Sequence, residues 1–205
     1  MSSSPKNNKP TLLEPELLLA GYASGFFPMA ESREGEIRWY SPDPRAIIPL
    51  DTFKISRSLR QRLKKNPFEI RIDAAFEETM RACAERDDTW ISEEIVQSYC
   101  ALHRLGFAHS VETWRDGKHA GGLYGVALGA AFFGESMFSR ATDASKVALV
   151  HLVERLNTNG FELLDTQLTT PHLAKFGTIE IPRTEYLERL KRAVGKKKSF
   201  LDSAA

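Results

Sequence analysis

Residues 108–138 decide the fold. They read AHSVETW (108–114), RDGKH (115–119), AGGLYGVAL (120–128), a single Gly129, and AAFFGESMF (130–138). The three long runs are rich in the β-branched and aromatic residues that strands favour. The breaks between them are short: Asp116-Gly117 suits a two-residue hairpin loop, and Gly129 permits another. The reading is an antiparallel three-stranded meander. Inside it, the glycines of Gly121-Gly122-Leu123-Tyr124-Gly125 predict a bulge or a close backbone approach rather than a phosphate loop.

The pattern changes on both sides of the meander. After it, Thr142/Asp143 to Asn159 reads as an amphipathic helix with Val147, Ala148, Leu149, Leu152, Val153 and Leu156 inward and Gly160 beyond its end. FELLD (161–165) and TIEIP (178–182) are strands around a short helix, and Thr184–Val194 is a basic terminal helix. Before the meander, Phe68–Ile72 alternates as a strand. Asp73 is expected to cap a helix facing inward with Phe76, Met80, Cys83 and Ala84. Ser92 is expected to cap a second, with Ile95, Val96, Tyr99, Leu102 and Leu105 inward and Gly106 as its stop. Ala46–Leu50 is a short strand. Thr11–Gly25 is a helix whose apolar face is Leu13, Leu17, Leu18 and Tyr22. The aromatic, Pro- and Gly-dense stretch that follows reads as loop, and residues 1–10 as disordered. The fold class is α+β, with a small N-terminal domain (residues 1–45) preceding a mixed β-sheet domain covered by helices (residues 46–205).

Composition narrows the class. The chain has 205 residues, 42% hydrophobic and 27% charged, which is ordinary for a globular protein. No uncharged apolar run approaches the ~18 residues of a membrane helix, so no membrane partner is expected. No signal peptide is visible, and Cys83 and Cys100 stand alone, so a cytoplasmic protein is expected. The net charge of +1 hides two basic blocks, KISRSLRQRLKK (54–65) and RLKRAVGKKK (189–198). Together they hold twelve of the 28 Lys and Arg residues and none of the 27 acids. Such blocks are either polyanion footprints or solvated helix faces.

Several chemistries fail on spacing. None of the five histidines is paired at i, i+4, so no metal is expected. No nucleotide loop of the G-x-x-x-x-G-K-[ST] or G-x-G-x-x-G type occurs. Gly134-Glu135-Ser136 begins like a hydrolase nucleophile elbow, with Asp165 and His172 following in order. Phe138 occupies the position that needs a small residue, and the context is a meander strand. Asp165-Thr166-Gln167 is more promising. Alternation puts the carboxylate and the amide on one strand face, where they can hold an amine or steer a proton. A strand-end Asp bonding nearby backbone is the plain alternative.

The order of elements from residue 68 matches GNAT-type acyltransferases. The R/Q-x-x-G-x-G/A loop that cradles CoA is absent, however, and Ser139-Arg140-Ala141-Thr142-Asp143-Ala144-Ser145-Lys146 fills its place. Taken together, the motifs resemble the leucyl/phenylalanyl-tRNA–protein transferases. The matching stretches are Gly21-Tyr22 through Gly25-Phe26-Phe27-Pro28, Trp39-Tyr40-Ser41-Pro42-Asp43-Pro44-Arg45, Thr89-Trp90-Ile91, Ala108–Glu112, Gly121–Val126, Gly134–Arg140, Ala144-Ser145-Lys146, and Asp165-Thr166-Gln167 with His172-Leu173. They run in order over roughly residues 12–190.

The resemblance implies an enzyme that moves Leu, Phe or less often Met from aminoacyl-tRNA to a protein with N-terminal Arg or Lys, marking it for degradation by the N-end rule. It implies a GNAT-like second domain with no cofactor, no CoA and no metal. It puts Asp165 and Gln167, as the catalytic pair, at the acceptor amine. The expectation is that Gln167 accepts a hydrogen bond from the amine and Asp165 orients the Gln167 NH₂. The alternatives are that Asp165 binds the acceptor's Arg or Lys cation, or that the tRNA ribose hydroxyl moves the proton and both residues only position. The same resemblance makes Leu123, Phe132, Met137, Leu149 and Leu164 the apolar substrate pocket, with Glu135 deep in it as floor, polar filter or cation site. Trp90 is implied at the terminal adenosine, with Met29 where some members carry a second Trp, and Tyr22 is counted among the substrate-binding residues. Arg57, Arg60, Lys64, Lys191 and Arg192 are expected at tRNA phosphates. An RNA-binding module without activity is the competing reading.

Overall fold

The computed structural model describes residues 12–65 and 67–201; the stretch expected to be disordered, 1–10, lies outside them. In chain order the elements are α1 (Pro15–Ala23), β1 (Phe27–Met29), β2 (Arg38–Tyr40), β3 (Arg45–Ile47), α2 (Arg57–Lys64), β4 (Glu69–Ile72), α3 (Phe76–Cys83), α4 (Glu93–Arg104), β5 (Ala108–Arg115), β6 (Lys118–Leu128), β7 (Ala131–Ser139), α5 (Ala144–Thr158), β8 (Leu163–Gln167), α6 (Pro171–Ala174), β9 (Ile179–Ile181) and α7 (Arg183–Val194).

The expected meander forms. β5, β6 and β7 pair antiparallel, with Asp116 (φ 52°) and Gly117 (φ 70°) in the left-handed region of the first hairpin and Gly129 (φ 60°) in the second. They sit in a seven-stranded sheet ordered β4-β5-β6-β7-β8-β3-β9. Only β7 and β8 are parallel among its described strand pairs, and α5 makes the crossover that a parallel pair requires. Their pairing is short, from Ala131↔Leu163 to Phe133↔Asp165. Beyond it β7 stays with β6 as far as Ser139, while the end of β8 leans to β3 with Gln167 opposite Ala46. The two strands therefore part, and the gap is where the site lies.

Each sheet face carries its own core. One gathers Leu18 and Tyr22 of α1, Phe27, Met80 of α3, Tyr99 of α4, Phe133, and Tyr186 and Leu190 of α7. The other packs Val147, Leu149, Leu152 and Leu156 of α5 against Val111, Leu123, Phe132 and Leu164. The helix at the N-terminus thus shares its core with the sheet, and the expected boundary at residues 45/46 falls inside β3.

Several local expectations need correction. Leu17 and Leu105, expected inward, are 51% and 58% exposed. Asp73 does not cap α3. It takes a left-handed conformation (φ 57°), and its carboxylate accepts the Ser110 N–H at 2.8 Å and contacts His109 Nδ1 at 2.7 Å. Ser92 does cap α4, accepting from the Ile95 N–H at 3.3 Å. The aromatic loop contains the small β1–β2 hairpin, and the first basic block forms α2.

Candidate active site

A pocket of about 520 Å³ opens where β7 and β8 diverge. Glu135 to Ser139 of β7 form one wall, and Thr166 to Leu168 at the end of β8 form another. Leu149 and Leu152 of α5 close it from below, and Arg86 and Trp90 flank it from the α3–α4 connection. Leu123, Met137, Leu149, Leu152 and Leu164 give it apolar wall, and Glu135, Thr166, Gln167 and His172 add polar groups, a mixture that small-molecule sites commonly have.

A bulge delivers Glu135. Tyr124 pairs with Ser136 and Gly125 with Gly134, so Glu135 is an extra residue on β7. Gly125 makes this possible, because a Cβ there would lie 2.2 Å from the Phe133 carbonyl oxygen and 2.5 Å from the Phe132 ring. Half-buried Glu135 accepts a hydrogen bond from the Tyr22 hydroxyl at 2.8 Å. The Tyr99 hydroxyl, 3.4 Å from the other carboxylate oxygen, has its single proton to share between that oxygen and the Tyr22 oxygen beside it. Gln167 Nε2 donates to Glu135 Oε1 at 2.9 Å. Burial pushes the Glu135 carboxyl up to about 7 against the pull of the Tyr22 and Gln167 hydrogen bonds, and the Asp165 charge adds to the rise.

Behind this pair stands a second carboxylate. Asp165 is fully buried, and Arg45 grips it with Nε to Oδ1 at 3.0 Å and Nη2 to Oδ2 at 2.7 Å. The Tyr186 hydroxyl donates to Oδ2 at 2.6 Å, and the backbone N–H of Gln167 donates to Oδ1 at 2.8 Å. Alternation along β8 fails at its end. The register against β3 shifts between Ala46 and Ile47, and Gln167 turns into the left-handed region at φ 65°. The expectation that Asp165 orients the Gln167 NH₂ is therefore corrected: Asp165 holds the Gln167 backbone, and Glu135 holds its side-chain amide. The strand-end Asp bonds local backbone, as the plain reading of that motif had it.

Of the expected pocket residues, Leu123, Met137, Leu149, Leu164 and Trp90 line the wall, as does Glu135. Phe132 is outside it; the ring is fully buried and stacks on Phe200 at 5.2 Å. Tyr22 is also off the wall, buried behind Glu135, and Met29 packs on the core beside it instead. Arg57, Arg60, Lys64, Lys191 and Arg192 are all exposed. The two blocks do not come together at the pocket. Arg62 of α2 pairs with Asp143 at 3.5 Å, beside the start of α5, whose Ser145 lines the pocket. The end of α7 lies at the other end of the strands, where the Ala130 N–H donates to the Ala193 carbonyl and Lys196 pairs with Glu162. Sequence reasoning missed the roles of Arg45, Tyr99 and Tyr186, although Arg45 closes a motif it singled out. It also missed that Tyr124, Thr166 and His172 line the pocket. Each of these three has a buried polar atom (Oη, Oγ1 and Nε2) with no partner among the described residues.

Comparison with known proteins agrees with the motifs. The family model described as leucyl/phenylalanyl-tRNA protein transferase matches residues 47–191, and the model of that family's N-terminal domain matches residues 12–43. Proteins named leucyl/phenylalanyl-tRNA–protein transferase are similar throughout. The one from Herpetosiphon aurantiacus is 61% identical over 183 residues, covering 89% of this chain and 95% of its own. That from Gloeobacter violaceus is 57% identical (89% and 94% covered), and that from Chlorobaculum tepidum 52% (93% and 100%). Among solved structures, L-PGS from Bacillus licheniformis aligns over 80% of this chain and 56% of its own at 14% identity, with a TM-score of 0.42, too loose a likeness to argue from. The chain is thus an aminoacyltransferase acting with aminoacyl-tRNA. It belongs to the leucyl/phenylalanyl-tRNA–protein transferase family.

Proposed function

We propose that this enzyme transfers Leu, Phe or less often Met from aminoacyl-tRNA to the N-terminal Arg or Lys of an acceptor protein in the cytoplasm, marking it for degradation by the N-end rule. The observation that carries the reading is the Glu135–Gln167 hydrogen bond on the wall of a pocket that Leu123, Met137, Leu149 and Leu164 also line. A carboxylate only accepts, so ionised Glu135 takes the Gln167 NH₂ and leaves the amide oxygen free to face the pocket. That oxygen accepts a hydrogen bond from the acceptor's α-amine. The amine attacks the ester carbonyl, a C–N bond forms, and the C–O bond to the ribose breaks. The amine loses a proton and the ribose oxygen gains one.

An aminoacyl ester is already activated, and a free α-amine with a reference pKa of ~7.7–8.0 is partly neutral at pH 7. Orientation of the two reactants then carries much of the rate, worth ~7–11 kcal/mol in well-aligned systems. Leu123, Met137, Leu149 and Leu164 hold the transferred side chain. The unpartnered Thr166 Oγ1 and His172 Nε2 suit polar atoms at the ester end. Trp90 stacks on the terminal adenosine, and Arg57, Arg60 and Lys64 on α2, next to the start of α5, meet tRNA phosphates. Lys191 and Arg192 serve a more distant part of the tRNA. The architecture is read as a GNAT-like second domain behind a small N-terminal domain ending near Arg45. Mass analysis of peptides with N-terminal Arg, Lys or Ala after incubation with Leu-, Phe- and Met-tRNA tests this reading. Addition to the Arg and Lys peptides alone supports it, and addition to none of them contradicts it.

A further inference from the structure

The segment Ser41-Pro42-Asp43-Pro44-Arg45 has no part in the chemistry so far, yet it is built into the site. Asp43 Oδ1 accepts the Arg183 N–H at the start of α7 at 3.0 Å, and Arg183 Nη1 donates to the Ser41 carbonyl at 3.3 Å. One turn into that helix lies Tyr186. Arg45 is 0% exposed, the largest side chain buried to that degree among the described residues. Its guanidinium lies between two rings, 4.8 Å from the Phe27 centroid and 4.6 Å from that of Tyr186. Nη1 donates to the Gly25 carbonyl at 3.2 Å, and Nε with Nη2 clamps Asp165. One guanidinium thus joins the end of α1, strand β3, helix α7 and the carboxylate at the end of β8.

Burying an ion pair this deeply is costly, and an apolar substitute of the same shape is often as stable or more so. Stability alone is a poor reason to keep it. Besides Arg45, Asp165 accepts the Tyr186 hydroxyl on Oδ2 and the N–H of Gln167 on Oδ1, and Gln167 is held at φ 65°, where a non-glycine side chain is strained. A carboxylate free to rotate would release that N–H and let the backbone relax toward ordinary strand geometry. The Gln167 amide would then leave Glu135.

We propose that Arg45 is a positioning residue for aminoacyl transfer. By clamping Asp165 it fixes the left-handed turn that presents the Gln167 amide to the acceptor amine. The inference rests on the proposed role of Gln167. Arg45 touches no substrate and acts through two intermediates, so its effect belongs in kcat rather than in binding.

The test is a set of single and double variants of the full chain, with rates measured over a range of aminoacyl-tRNA and Arg-peptide concentrations up to saturation so that kcat and KM separate. Arg45→Lys keeps the charge but loses the two-pronged grip. Tyr186→Phe keeps the ring under Arg45 and removes one bond to Asp165, so it serves if Arg45→Lys does not fold. Both are expected to lower kcat, Arg45→Lys by roughly 10–100-fold, the scale of a misplacement of about 1 Å. KM for each substrate should stay within a few-fold. In a Gln167→Ala background the same substitutions should change kcat little further, because their effect passes through Gln167. Unchanged kcat, a rise confined to KM, or an equal loss in the Gln167→Ala background would overturn the inference. Wild-type kcat in Gln167→Ala alone would instead overturn the proposed role of Gln167.

Discussion

Glu135 and Gln167 meet through one hydrogen bond, Nε2 to Oε1 at 2.9 Å, and neither residue has an ordinary strand environment. Glu135 is the extra residue of a bulge on β7, and Gln167 is a left-handed residue ending β8. Two local irregularities on two diverging strands place a carboxylate and an amide edge to edge. Regular strands would have carried their side chains to alternating faces.

The Glu135 carboxyl, raised to about 7 by burial, makes this contact sensitive to pH. Below that value a protonated Glu135 can donate, so it no longer selects the NH₂ of Gln167. The kcat of the wild type should fall as pH drops through about 7. Glu135→Gln cannot titrate and should lose that part of the limb, keeping only the part due to the acceptor amine. The sign for stability is opposite. A carboxyl raised from its usual 4.5 stabilises the fold fully below 4.5 and loses that contribution as pH rises through about 7. Thermal melts at pH 5 and 8 should therefore shift in favour of Glu135→Gln at the higher pH; a gap independent of pH would argue against a raised carboxyl.

Gly125→Ala tests the bulge. The added methyl would sit 2.2 Å from the Phe133 carbonyl, which is backbone and cannot swing aside. Overpacking of this kind typically costs about 1–3 kcal/mol. The variant should melt earlier and also lose kcat, because the displaced bulge carries Glu135. A lower melting temperature with full kcat would separate the bulge from the site.

The pocket wall gives a prediction on specificity. Leu123 is 3% exposed and lines the pocket together with Leu149 of α5, within one core cluster. Leu123→Trp should fill the pocket and reduce transfer of Phe more than that of Leu. Wild-type discrimination between Leu and Met should be small, since apolar pockets separate near-isosteres weakly. Competition between Phe-tRNA and Leu-tRNA measures both. Equal losses for the two donors would remove Leu123 from the specificity wall.

Much of this is legible in the sequence, and the failures have physical causes. The meander is readable because Asp116-Gly117 and Gly129 mark its turns and each run is long. Pocket residues Leu123 and Met137 lie within the family motifs, and Leu149 and Leu164 come with the resemblance beside them. The two short strands of the β1–β2 hairpin are not readable, because they lie in a stretch whose Pro, Gly and aromatic residues read as loop. Asp73 misleads because its carboxylate bonds Ser110, 37 residues away, rather than the helix it precedes. The glycines of Gly121–Gly125 announce a bulge, and it falls between Tyr124 and Gly125. That Glu135 is the extra residue on the partner strand depends on pairing register, which one strand's sequence does not contain. Arg45 stands in a recognised motif, but its meaning lies in Asp165, 120 residues distant.

Ionic strength separates the two basic blocks. The exposed Arg57, Arg60 and Lys64 lie on a helix that reaches the start of α5 through the Arg62–Asp143 pair. Neutralising all three should weaken binding of every tRNA alike. It should also flatten the dependence of log affinity on log salt by roughly 0.7–0.9 for each phosphate left without its cation. Neutralising Lys191 and Arg192, at the far end of the strands, should flatten it less. An unchanged slope in the α2 triple variant would leave that block as a solvated helix face.

Single-turnover transfer from Leu-tRNA to an Arg-peptide, comparing wild type with Gln167→Ala, tests the central claim most directly. If the amide held by Glu135 orients the acceptor amine, the variant should transfer about 10²–10⁴ times more slowly. Its affinity for Leu-tRNA, measured separately, should remain close to wild type. A variant that transfers at the wild-type rate, or one whose loss is wholly accounted for by weaker tRNA binding, would contradict it.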